Sequence, residues 1–159
     1  ALGRRVGGHS WEVYIYHQSS HLGDETLDFG KRARIDYGRE TIRFLYSHDF
    51  DKLRVYAGPS FNFTAVEDFI RRKSKAQIGA EYRFEHWGYP MYVATDLQLR
   101  EQNDWQHSFA VQYGVELGDP TKIDPRPKLF VEYFTGYSNM GQFWNEYENS
   151  FMIGLGYEF

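Results

Sequence analysis

The chain has 159 residues, of which 42% are hydrophobic and 19% aromatic, with a formal net charge of -4 and no cysteine. That length fits one domain over residues 1–159, the acidic balance argues against a nucleic-acid partner, which needs a basic stripe, and disulfides are excluded. No run of about twenty apolar residues is present, which rules out a transmembrane helix; the mean hydropathy of -0.64 is compatible with a membrane barrel, whose strands show lipid only one face.

The first residues, ALGRRVGGHS, carry no visible signal peptide, as expected of a mature form or a fragment. From Trp11 onward the chain alternates with period two, the mark of half-buried strands. Trp11 to Leu22 and Thr41 to Asp49 carry less clean versions. Leu53, Val55, Ala57, Phe61 and Phe63 then alternate with Arg54, Tyr56, Gly58, Asn62 and Thr64. Val66 to Ser74 reads as a short helical turn within a loop. Ala76 to Phe84, Met91 to Leu99 and Trp105 to Leu117 alternate in the same way, and Leu129 to Ser138 does so more weakly. The last stretch, FMIGLGYEF, places Phe151, Ile153, Leu155, Tyr157 and Phe159 on one face and Met152, Gly154, Gly156 and Glu158 on the other. An alternating terminal strand ending on Phe is how outer-membrane barrels usually end. The fold expected is therefore all-β: an antiparallel transmembrane β-barrel of about eight strands.

If the C-terminus is periplasmic, the long links Gly23 to Arg39, Ala65 to Ser74 and Asn139 to Glu146 lie outside, and the tight turns near Phe50 and Gly88 lie in the periplasm. Two links break that pattern: Glu101 to Asp104 is short for an outer loop, and Gly118 to Lys128 is long for a periplasmic turn. Periodicity alone does not say which face is inside, and a soluble lipocalin-like barrel alternates equally well. Strand length, aromatic load and the final Phe favour the membrane. Trp105, Trp144, Tyr137 and Tyr147 are expected in aromatic girdles at the interfaces. The polar faces carry Glu12, Arg43, Arg54, Glu81, Arg83, Asp96, Arg100, Glu116, Glu132 and Glu158, of mixed sign. In a narrow barrel these form a paired network filling the lumen.

Several segments carry a resemblance: YIYHQSSHLGDE from Tyr14, then RIDYGRETIRF, LRVYAGPSF, ATDLQLREQNDWQ and GYSNMGQFWNEYENSFMIGLGYEF. Together they resemble the bacterial family catalogued as domain of unknown function 1207, from about Arg4 to Phe159. HQSSHLGDE is the most specific block; Asn139 stands where members tend to have Pro. The resemblance implies an envelope protein of a Gram-negative bacterium. It also implies chains that extend further upstream, so that these strands would be the C-terminal part of a larger barrel of about twelve strands. It implies no activity.

The densest chemistry is HQSSH. His17, Ser19 and His21 share one strand face with Trp11, Val13 and Ile15, and residues at i and i+2 project to the same side. His17 is thus a candidate base for a Ser19 nucleophile. The same H-x-S spacing resembles that of outer-membrane phospholipase A and the lipid A deacylases. Candidate orienters of the imidazole are Glu40, on the face of Ile42, and Asn149, on the face of Phe151 in a last strand that would neighbour the first in a closed barrel. Asp24, Glu25 and Asp28 are candidate oxygen ligands for Ca²⁺ should the chain be a hydrolase; no other cofactor is expected. Against these stand plainer readings: H-x-S is common by chance, and an acidic loop is ordinarily a solvated one. The function expected is a non-enzymatic anchor, scaffold or narrow porin-like channel in the outer membrane. Its surroundings would be outer-membrane lipid, lipopolysaccharide and other envelope proteins. The alternative is an outer-leaflet acyl-ester hydrolase.

Overall fold

A computed structural model describes residues 1–20, 36–71, 73–117 and 127–157. Nine strands follow one another: β1 (Leu2–Val6), β2 (His9–Ser20), β3 (Tyr37–Phe50), β4 (Leu53–Ala65), β5 (Ser74–His86), β6 (Tyr89–Arg100), β7 (His107–Glu116), β8 (Pro127–Tyr137) and β9 (Tyr147–Tyr157). Each pairs antiparallel with the next, giving one sheet in sequence order with β1 and β9 at its edges. No ladder joins β1 to β9 among the described residues, so the sheet is open. The expectation of about eight strands missed β1, whose five residues, LGRRV, are too few and too charged to show a period. Of the helical turn expected over Val66 to Ser74, a single turn at 68–71 is present among the described residues of that stretch, and no helix. Two consecutive bonds, Ile70 N–H to the Glu67 carbonyl and Arg71 N–H to the Asp68 carbonyl, make that turn, and the Arg71 side chain donates back to the Ala65 carbonyl. The remaining helical structure is two 3₁₀ turns, Glu101–Asn103 and Gly141–Phe143.

Turns sort by end. Gly7–Gly8, Asp51–Lys52 and Trp87–Gly88 are two-residue connections, and Gly7, Asp51, Trp87 and Gly88 take positive φ, as tight hairpins matched to strand twist require. The described connections at the opposite end, 66–71, 101–106 and 138–146, are longer, and they pack over the end of the sheet. There Tyr37, Ala65 and Ile70 form a small buried cluster, with Phe69 and Trp144 packed against it. Trp144 stacks on Phe69 with ring centroids 4.7 Å apart, so it belongs to this inward cap and not to an interfacial girdle. The Gln18 side-chain amide donates to the Asn139 carbonyl, and the Gln142 N–H donates to Ser20 Oγ. These bonds tie β2 to the β8–β9 connection, six strands away in the ladder. The sheet therefore curls.

The two faces differ in kind. Among the described residues the buried side chains include five apolar ones (Tyr37, Ala65, Ile70, Tyr92, Phe134) and ten polar or charged ones, Thr41, Asn62, Arg100 and Glu116 among them. That inverts the usual interior. The outer face carries the aliphatic and aromatic residues, with Phe151, Ile153 and Leu155 at 85%, 81% and 74% exposure. On the inner face three aromatic rings lie over glycines at the register position of the next strand. Tyr56 covers Gly79, Tyr92 covers Gly114 and Phe130 covers Gly154.

Candidate functional site

β2 and β3 pair so that His17 stands directly opposite Glu40 on the outer face. Alternation makes His17 point outward, because its strand neighbours Tyr16 and Gln18 belong to the inner face. His17 Nδ1 lies 2.7 Å from Glu40 Oε1, with the two side chains 58% and 36% exposed. A carboxylate only accepts hydrogen bonds, so Nδ1 carries the proton and Nε2 keeps its lone pair in the neutral ring. That is the arrangement of a base and its orienter. Ser19 shares the face, in register with Gly38, yet among the described residues it makes no hydrogen bond to His17. The neighbouring Gly38 is itself buried, and a β-carbon there would come 3.0 Å from Val66 Cγ2.

Asn149 is not brought to this pair. It lies on β9 opposite Thr135, and its side-chain oxygen accepts from Tyr133 Oη at 3.1 Å and Thr135 Oγ1 at 2.7 Å. Its expected place beside β2 required closure between the last strand and the first, and β9 pairs only with β8. His21, Gly23, Asp24, Glu25 and Asp28 lie outside the described residues. Among the described residues no group of three or more His, Asp or Glu side chains is placed to hold a metal ion.

The inner face bears a paired network for most of the charges singled out by sequence. Arg43 meets Glu12 at 3.1 Å, Arg83 meets Glu81 at 2.5 Å and Lys128 approaches Glu116 at 3.9 Å. Asp96 Oδ2 accepts from Tyr56 Oη at 2.6 Å and Gln77 Nε2 at 2.7 Å, while Oδ1 accepts from Gln98. Gln112 links Tyr92 to Glu132. Toward the hairpin-turn end the inner face opens into a groove of about 560 Å³ between Arg5, Ser10, Glu12, Ser47, Arg54 and Glu81. In the cap, Glu101 accepts the Ser74 N–H at 2.8 Å and lies 3.5 Å from Lys73 Nζ. The Ser74 bond first, then the Lys73 charge, hold its carboxyl below the ordinary glutamate range.

Sequence reasoning missed Arg39 and Lys75, and took Arg100 for one member of a paired network. A signal was available. The Trp87–Gly88 turn fixes the β5–β6 register, and that register sets Lys75 opposite Arg100. Like charges directly opposite one another oppose pairing.

Fold and site together define a class: a curled antiparallel meander, polar within and apolar without, with a histidine–glutamate pair on its outer surface. The family described as Protein of unknown function (DUF1207) matches residues 2–159, and the chain belongs to that family. No curated protein and no solved structure matches it.

Proposed function

We propose that this chain forms an outer-membrane β-barrel, or the greater part of one, with a non-enzymatic role as a scaffold or narrow conduit. One observation carries the reading: most of the large apolar side chains of the long strands stand on the outer face, while the opposite face is largely hydrogen-bonded and ionic. A soluble barrel places its apolar face inward, and soluble proteins rarely expose apolar patches beyond a few hundred Å². Lipid is the medium in which such a face is stable, and strands cross it only when every backbone group is paired. β2 to β6 have twelve to fourteen residues and β7 to β9 ten or eleven, enough for a tilted crossing that needs about nine to eleven. The expected result is a protein that folds from urea only into detergent micelles or lipid vesicles and runs as a faster band on a gel unless boiled. A monodisperse, folded species in detergent-free buffer would reject the membrane reading.

A second reading is favoured by the His17–Glu40 bond: an outer-leaflet acyl-ester hydrolase with Ser19 as nucleophile, His17 as base and Glu40 as orienter. Rotation of the Ser19 hydroxyl toward Nε2 would let the imidazole take its proton as the oxygen attacks an acyl carbonyl and return it to the alcohol oxygen that leaves when the ester C–O bond breaks; water, deprotonated by the same imidazole, would then release the acid and restore the Ser19 hydroxyl. The test is acyl release from phospholipid and lipopolysaccharide by the folded protein, with and without Ca²⁺. In this reading Ser19→Ala and His17→Ala each abolish release while folding is intact, and Glu40→Gln lowers kcat by about 10³–10⁴-fold, the scale seen on losing an orienting carboxylate. No release from folded wild-type protein leaves the scaffold reading standing alone.

A further inference from the structure

We propose that the inner face holds a binding site for one small oxyanion, of the phosphate or sulfate kind, beneath the cap. The site is a cavity of about 170 Å³ lined by Arg39, Lys75 and Arg100 together with Gln18, Gln98 and Asn139. The three cations come from β3, β5 and β6, and the strand register converges them.

Their partners are neutral. Arg39 donates through Nε and Nη2 to Gln18 Oε1 at 3.1 and 2.7 Å, and through Nη1 toward Gln102 Oε1 at 3.5 Å. Arg100, only 6% exposed, donates to the carbonyls of Ser138 and Tyr137 at 2.8 and 3.3 Å, to Ser108 Oγ and to Asn139 Oδ1. Lys75 has no hydrogen-bond or ion-pair partner among the described residues. The carboxylates nearest in the fold are committed elsewhere: Asp96 to Tyr56, Gln77 and Gln98, and Glu101 to Ser74 and Lys73.

Buried charge is expensive unless compensated. Elsewhere on the inner face the arginines meet carboxylates; here three cations stand with amides, hydroxyls and carbonyls. Lys75 and Arg100 are moreover direct cross-strand partners of like sign, a pairing that opposes sheet formation. A doubly charged oxyanion between them would turn that repulsion into charge-assisted hydrogen bonds. The amide side chains of Gln18, Gln98 and Asn139 supply further donors, which suits a tetrahedral anion with several acceptor oxygens. The site stands on the inner face and is independent of the medium that the outer face meets.

Calorimetric titration of the folded chain with inorganic phosphate, with sulfate and with chloride at matched ionic strength tests it. The expected result is one phosphate per chain, sulfate competing for the same site and chloride giving no comparable heat. Lys75→Gln, which breaks no hydrogen bond, is expected to weaken phosphate binding at least tenfold, and Arg39→Gln similarly. In phosphate-free buffer Lys75→Met is expected to match or exceed the thermal midpoint of the wild type, because it removes like-charge repulsion. Absence of phosphate heat from folded wild type would overturn the proposal, as would undiminished binding by Lys75→Gln or a thermal midpoint for Lys75→Met well below wild type.

Discussion

Replacing Ile78 by arginine is expected to cost about 2–4 kcal/mol of folding free energy if the outer face meets the middle of a bilayer, against about 0.5 kcal/mol or less if it meets water. Ile78 is the position for this comparison. It sits in the middle of β5, 55% exposed, between Ala57 on β4 and Leu97 on β6. It makes no polar contact whose loss would confuse the result. Arginine fits its space in either medium, so the difference arises from the surroundings alone. Trp87→Arg is the companion variant. Trp87 is 87% exposed in the two-residue turn between β5 and β6, and near an interface the same charge costs about 0–1 kcal/mol. Denaturant titration of both variants in lipid vesicles reads the depth dependence directly. Equal, small effects at the two positions would place the outer face in water and remove the basis of the membrane proposal.

Gly58→Ala is expected to destabilise the sheet by about 3 kcal/mol, the upper range for overpacking. β3 and β4 approach closely where the register passes from Arg43 opposite Ser60 to Tyr46 opposite Ala57. A β-carbon on Gly58 would lie 1.9 Å from the Phe44 carbonyl oxygen and 2.8 Å from the carbonyl carbon. Those atoms are backbone, so no rotamer change relieves the contact, and one strand must move away from the other. Gly156→Ala is the control. Among the described residues its β-carbon would meet only Phe130 Cε1, at 3.6 Å, and the change is expected to be neutral or to stabilise by up to about 1 kcal/mol through the unfolded chain. Chemical denaturation of both variants under one folding condition checks the pair. Equal stability of Gly58→Ala and wild type would show that the two strands can part there at little cost.

Much of the fold was legible because strand alternation is a local signal. Leu53 to Thr64 and Ala76 to Phe84 announce β4 and β5 without reference to anything distant. β1 was not legible, because Gly3, Arg4 and Arg5 give no alternation and the strand exists by pairing with Val13 to Ser10. The Val66 to Ser74 stretch looked helical by composition. Its conformation is set by tertiary demands: Ile70 is fully buried beside Tyr37, and Asn62 donates to the Ile70 carbonyl at 2.9 Å.

The site divides along the same line. His17 and Glu40 needed the register of one neighbouring pair of strands, and reasoning about height and face was sufficient to bring them together. Asn149 needed a closure that the ladder does not contain. The Trp87–Gly88 turn sets Lys75 opposite Arg100, but bringing Arg39 to them needed β3 to β6 in register at once and a cap above them, and no local pattern encodes that. Trp144 looked like an interfacial anchor because exposed aromatic girdles and buried aromatic caps share one residue type. Only its stacking on Phe69 separates the two.

The ring-over-glycine pairs bear on how faithfully the strands find their alignment. A slip of two residues keeps every side chain on its proper face, so polarity does not forbid it. In β4–β5 such a slip would drive the Tyr56 ring onto Gln77 or Glu81, and in β6–β7 it would drive Tyr92 onto Gln112 or Glu116. Both rings would lose the only flat seat available. In β8–β9 the slip in one direction sets Phe130 over Gly156, a second glycine on the same face, which already stands 3.6 Å from the ring when given a β-carbon. The first two hairpins thus proofread their own alignment, while β9 can slide by one pleat and still seat the ring. Of the three pairs, the one with the least-policed alignment contains β9, which is also one of the two edges of the sheet among the described residues.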